Sequence, residues 1–279
     1  MSKYYYLIAG LPEIQPDDAK LTLKLQELHQ ILQETLTAKD YAIVSHIFQH
    51  YEALNWLAFL KDRDAALHPL GISTSDQFEE VVTLLKETEY PKINSVPGYF
   101  PAFAYAYWED KPLFNNLSWN DQLMSLYYKD ALRCGNPFVR TWFEFCLNIN
   151  NLLTAYTCRK YNFDLQSSIV GDNVVARTLK ASHARDFGVS DFFPQADQVL
   201  RIAEEGDLLE REKKIDLLKW QWIEESTVFE YFTIEAVAAY LMKLEIVERW
   251  LPLKQEAGAA IFRELIKNLK SGVQFPSEK

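Results

Sequence analysis

The sequence predicts an all-α protein. Apolar residues recur at spacings of three and four along most of the chain, and Ser, Asn and Asp stand where several of those stripes begin. Gly and Pro number only 9 and 11 in 279 residues. A stripe of that period puts one apolar face on a helix. Scarce Gly and Pro exclude collagen-like, low-complexity and turn-rich all-β chains.

Hydrophobic residues make up 48% and charged residues 24% of the chain, enough to bury a sizeable core. We read 1–279 as a single helical domain, with sub-lobes 1–90 and 117–270 joined by the Pro- and aromatic-rich segment 91–116. No internal repeat with a clear period is present.

The elements follow in order. Tyr4 to Ala9 is aromatic and β-branched and stops at Gly10-Leu11-Pro12, which predicts a short extended N-terminal segment. Leu21, Leu25, Leu28, Leu32 and Leu36 form one stripe and predict a helix over 20–36. Asp40 reads as the cap of a second helix, 40–61, whose face carries Val44, Ile47, Phe48 and Tyr51. Phe78, Val81, Val82 and Leu85 mark a shorter helix after Ser75. Between 90 and 116 prolines fall among aromatics, which predicts a packed loop or broken helices.

Ser118-x-x-Asp121 opens a helix over 118–133. Gly135-Asn136-Pro137 closes it and starts 137–162, with Asn136 as cap and Pro137 at the first helical position. Asp207-x-x-Glu210 opens 207–226 as a box-like pair. Further stripes predict helices over 231–250 and 255–269.

Charge and cysteine content narrow the function classes. Lys and Arg number 29 against 39 Asp and Glu, a net charge of −10. A non-specific nucleic-acid binder needs a net cationic surface to release counterions, so nucleic acid is not an expected partner. The first 100 residues are net acidic, whereas the stretch from Arg133 to Arg185 is locally basic. That asymmetry fits either solvated faces or docking of different partners. Cys134, Cys146 and Cys158 show no Cys-x-x-Cys spacing, as expected of core thiols in a reducing cytoplasm. The aromatic N-terminus does not read as a signal peptide. No uninterrupted apolar run reaches the length of a membrane span, so membrane contact is expected only through partners.

The candidate chemistry is sparse. His46-Ile-Phe-Gln-His50 puts two imidazoles on one helix face at the spacing of zinc proteases. The Glu that would follow the first His as general base is missing, and no third ligand presents itself, so no metal is expected. Asp186-Phe187-Gly188 copies a kinase magnesium loop without its Gly-rich loop or catalytic loop. No P-loop, dinucleotide fingerprint or nucleophile elbow exists, so no cofactor and no catalytic residue is expected. Trp220 and Trp222 lie two apart and cannot share a helix face, which makes them candidates for an interface.

Several segments together carry a resemblance. They are Tyr4–Pro12, Asn148–Leu152 followed by Arg159–Asn162, Glu210–Asp216, Phe229 to Phe232, and Ala239-Tyr240-Leu241 through Glu245 to Glu248-Arg249-Trp250. They resemble a bacterial family without an assigned function that looks like a divergent form of the C-type central-stalk subunit of V-type (A-type) rotary ATPases, the counterpart of the eukaryotic d-type subunit. The resemblance to the unassigned family covers nearly the whole chain, and that to the ATPase subunit is strongest over about 140–250.

The resemblance implies an elongated or funnel-like multi-helix bundle of that C type and a non-catalytic role. Such a subunit caps the membrane proteolipid ring on its cytoplasmic face, receives the central shaft, and couples ATP turnover to proton or sodium transport. It also implies that Asn151, Arg159 and Asp216 are structural polar residues holding helices together. The alternative readings are a generic helical scaffold or regulatory adaptor, and an enzyme with a metal at His46 and His50.

Overall fold

The computed structural model describes residues 4–88, 91–115 and 117–252. These residues form eleven helices and no strand. Five lie in the first half: α1 (Tyr5–Gly10), α2 (Leu25–Thr35), α3 (Ala38–Lys61), α4 (Ser75–Glu87) and α5 (Phe100–Trp108). Then come α6 (Trp119–Ala131), α7 (Pro137–Tyr161), α8 (Val174–Ala181), α9 (Ala196–Ala203) and α10 (Leu208–Ser226). The last, α11, runs over 234–252. The helix expected over 255–269 lies outside the described residues.

The N-terminal segment is helical, not extended. An isolated extended stretch needs a neighbouring strand to take its N–H and C=O groups, and the described chain offers none. A helix satisfies them locally, as Ile8 N does by donating to Tyr4 O at 2.9 Å. Tyr4 is buried and its hydroxyl donates to the Asp40 carboxylate. This contact pins α1 to the start of α3.

Caps set most of the helix starts. Thr37, not Asp40, caps α3: its Oγ1 accepts from Asp40 N at 3.2 Å, and Asp40 becomes the acid of the first turn. Acids there also face the positive end of the helix dipole. Ser118, Asn136 and Asp207 cap α6, α7 and α10 as their positions predict. Glu210 does not close a box with Asp207. Its carboxylate takes Lys213 at 2.7 Å, while Asp207 N donates to Glu205 at 3.3 Å. Asn162 ends α7 in the left-handed region at φ 56°, a conformation Asn tolerates better than most residues.

Two hydrophobic cores hold the helices. The smaller joins the second half of α3 to α4, α5 and the start of α6 around Trp56, Phe78, Phe100 and Phe103. The Trp56 and Phe100 rings stack with centroids 5.1 Å apart. Each such buried ring contributes about 1.5–3 kcal/mol. Segment 91–115 is part of this core, with Pro101 tolerated in the first turn of α5 because its missing N–H would have had no helical partner.

The larger core gathers α2, the first half of α3 and α6 to α11. Its centre is α7, whose buried face runs from Val139 through Phe143, Leu147 and Leu152 to Cys158. Helices α6, α8, α9 and α10 all pack on α7. The three cysteines are buried and unbonded.

Candidate functional site

A cavity of about 670 Å³ opens where α3, α6, α7, α10 and α11 converge. Its apolar wall is aromatic: Tyr51 from α3, Tyr127 and Tyr128 from α6, and Trp142 and Phe143 from α7. Its polar lining comes from His50, His68, Asp216, Lys219, Glu245, Glu248 and Arg249.

The α3–α4 link forms one side, and α3 shapes it. The Asn55 carboxamide donates to His68 O at 3.0 Å and accepts from His68 N at 2.6 Å. Glu52 Oε2 accepts from Ile72 N at 2.7 Å and Ser73 N at 3.0 Å. A Cβ at position 71 would lie 2.1 Å from Asn55 Nδ2, so the turn requires Gly71. His68 Nδ1 accepts from Leu70 N at 3.2 Å, which leaves the proton on Nε2. Its ring stacks on Tyr51 with centroids 4.5 Å apart.

Glu245 is half-buried on the α11 side of the cavity. Tyr51 OH donates to its Oε1 at 2.6 Å. Burial pushes the Glu245 carboxyl above its usual range, against the pull of the Tyr51 hydroxyl and of Lys219 and Arg249 at longer range. Burial and this neighbouring carboxylate push the Tyr51 hydroxyl well up. His50 is pushed down by burial first and by His68 second, which keeps its ring neutral near pH 7. Burial lifts the Cys146 thiol to about 12, which removes it as a nucleophile.

Asp216 holds the α10–α11 side together. Trp250 Nε1 donates to its Oδ2 at 2.7 Å, Arg249 donates to the same oxygen, and Lys219 Nζ lies 4.0 Å from Oδ1. Glu248 Oε2 accepts from Leu25 N at 2.6 Å, satisfying a free donor at the start of α2. The result is a pocket with aromatic walls and carboxylates in its lining, chemistry suited to binding. Among the described residues, no three His, Cys, Asp or Glu side chains form a group able to hold a metal. His46 turns away to Gln49, at 3.1 Å, and Asp130, at 3.8 Å, while His50 faces the cavity.

A family model matches residues 1–273. The chain belongs to the family described as "Protein of unknown function (DUF2764)". No curated protein and no solved structure matches it.

The polar residues singled out in this DUF2764 member lie at three separate joints. Asn151 is buried on α7; its Nδ2 donates to Val170 O at 2.7 Å and its Oδ1 accepts from Val170 N at 3.0 Å. Arg159 lies at the exposed end of α7. It donates to Ala184 O at 2.6 Å, Ser182 O at 3.1 Å and Arg185 O at 3.2 Å, and its guanidinium lies 3.6 Å from the Phe187 ring centroid. Asp216 takes its arginine from α11, not from position 159.

The Asp186-Phe187-Gly188 triplet is a turn beneath that arginine. Phe187 is buried at φ 63° and Gly188 follows at φ 62°.

Neither Trp220 nor Trp222 stands out as an exposed anchor. Trp220 is buried, donates to Glu224 at 2.8 Å and lies under Lys243. Trp222 is half-buried against Phe138, Trp142 and Phe145. The two rings face different neighbours, as their spacing requires, and each packs against side chains of this chain.

Glu245 enters the sequence reading only through the resemblance. Val237, Leu241 and Glu245 are spaced by four, so a carboxylate occupies a position of the apolar stripe, and that is the signal for it. No helix among the described residues is long and apolar enough to cross a membrane.

Proposed function

We propose that this chain is a non-catalytic adaptor in the central stalk of a V-type rotary ATPase or ATP synthase. It joins the shaft to the proteolipid ring at the cytoplasmic face of the membrane, and couples ATP turnover to ion transport. One observation carries the reading. Two of the segments that carry the resemblance, Tyr4–Pro12 and Phe229–Phe232, adjoin in space and expose aromatics there. Tyr6 is 89% exposed and Phe229 85%, with Tyr5, Val228 and Tyr231 also exposed. The Tyr5 and Phe232 rings lie 4.7 Å apart, and Tyr240 OH donates to Pro12 O at 2.9 Å.

Folding alone would bury such rings. Left in water, aromatic clusters mark surfaces that partners cover. Glu225, an exposed carboxylate, and Glu230 lie beside them in sequence, so contacts there combine apolar anchors with charge. Association should weaken with salt without vanishing, because the Debye length falls from about 10 Å at 0.1 M to about 3 Å at 1 M.

The test is co-purification from cells that carry the ATPase. The tagged chain is expected to recover shaft and proteolipid subunits, and a Phe229→Asp/Tyr231→Ser variant with an unchanged melting temperature is expected to lose them. Deletion of the chain should uncouple ATP hydrolysis from ion pumping. Absence of ATPase subunits at low salt, with pumping intact in a deletion strain, would replace this reading with that of a generic helical scaffold.

A further inference from the structure

The geometry points to the α3/α6/α7/α11 cavity as a binding site for an organic ammonium group, received on Glu245 within the aromatic wall. The site is independent of the adaptor reading.

The charges inside the cavity select the ligand. Asp216, Glu245 and Glu248 face Lys219 and Arg249, an excess of carboxylate with His50 neutral. The two cations pair with other carboxylates, Lys219 near Asp216 at 4.0 Å and Arg249 with Asp216 and Glu212. No ion pair reaches Glu245 among the described residues, and its bond from Tyr51 OH is a neutral donor's. A half-buried carboxylate that no ion pair reaches is only partly compensated, and a cation entering the cavity would complete it. An anion would meet the carboxylates and the negative faces of the rings. A neutral apolar guest would strip water from Glu245 and give nothing back.

The walls select the kind of cation. Tyr51, Tyr127, Tyr128, Trp142 and Phe143 line the same space. Rings around a carboxylate attract alkylated ammonium more than a hydrated metal ion, because the alkyl collar packs on the rings while the charge meets their π faces. The volume, about 670 Å³, falls in the range of small-molecule pockets. Tyr127 OH donates to His46 O at 3.2 Å and Asn150 Nδ2 donates to Tyr128 OH at 3.2 Å, so these rings are already fixed before a ligand arrives.

The same chemistry is presented by a free organic amine and by a lysine side chain of a partner protein. Calorimetric titration of the purified full-length chain separates them, using choline, spermidine and Nα-acetyl-lysine amide. The neutral carbon analogue of choline, 3,3-dimethylbutanol, and butyrate serve as controls. At least one ammonium probe is expected to bind about tenfold or more tighter than dimethylbutanol, with no heat from butyrate. Binding of the lysine amide alone assigns the site to a partner's side chain, and binding of choline or spermidine assigns it to a free amine.

Glu245→Gln keeps an acceptor for Tyr51 OH and should weaken ammonium binding by about tenfold. Tyr128→Leu removes part of the wall without touching the carboxylate and should weaken it severalfold, which keeps the question decidable if the first variant does not fold. No heat from any ammonium probe at about 10 mM, dimethylbutanol bound as tightly as choline, or full affinity in whichever variant folds would overturn the inference.

Discussion

Replacing Asp216 by Ala tests the joint between α10 and α11. The carboxylate is buried, with its side chain 5% exposed. Its loss leaves Trp250 Nε1, which donates to it at 2.7 Å, without an acceptor in a buried place. An orphaned buried donor costs about 1–3 kcal/mol. Arg249 also loses its partner, but its side chain is 49% exposed and Glu212 lies 3.7 Å away, so it can turn toward water. The arginine part is therefore well below the roughly 3–5 kcal/mol of a fully buried pair. Together the loss should be about 2–4 kcal/mol. In a chain of this size that lowers the melting temperature by about 5–10 °C. Asp216→Asn keeps an acceptor for the indole and should lose about half as much. Differential scanning calorimetry of both variants reads the difference. A melting temperature for Asp216→Ala within about 1 °C of the parent would refute the argument, because it would mean the indole and guanidinium find equivalent partners without the carboxylate.

Two further predictions follow from the same geometry. Asn151→Leu removes both bonds to the Val170 backbone and should cost about 2–3 kcal/mol in urea unfolding; an unchanged midpoint would show that Val170 is satisfied elsewhere. The rings of His29 and His50 are pushed down by burial, so below their ordinary value of 6.5 the unfolded chain takes up protons that the folded chain resists, and stability falls as pH drops. Glu245 works in the opposite sense: its raised carboxyl holds a proton the unfolded chain has released, so its contribution falls as pH rises above 4.5 toward the folded value. Melting scans across that interval should show a weaker acid loss in His50→Gln than in the parent, and an identical slope in both would remove His50 from the account.

The helical fold was legible because its signals are local. Caps at Ser118, Asn136 and Asp207 and the stripes of α2, α3 and α7 depend on residues within a few turns of each other. The stretch 163–206 was not legible. Its helices α8 and α9 have only eight residues each, too short for a stripe to repeat. The N-terminal Tyr-Tyr-Tyr-Leu-Ile run misled, because β-branched and aromatic residues suit a strand only where another strand exists to pair with it.

The cavity was hidden for a different reason. Tyr51 and Glu245 are 194 positions apart, and no spacing rule links α3 to α11. Asp216 entered the sequence reading only through the resemblance, and nothing there paired it with Arg249. Trp220 and Trp222 read as interface candidates because their spacing shows that two rings diverge and not that each has neighbours within the chain.

Helix α3 belongs to both cores. Its first half feeds the larger through Val44 and Phe48, and its second half feeds the smaller through Trp56 and Phe59. A rod of 24 residues spans about 36 Å. Helix α6 repeats the arrangement, with Leu123 in the smaller core and Tyr127 in the larger. The two cores are therefore joined through two continuous helices, with α6 packed on both α3 and α7. The slowest-exchanging amides should be those in the middle of α3, which open only when both cores fail at once.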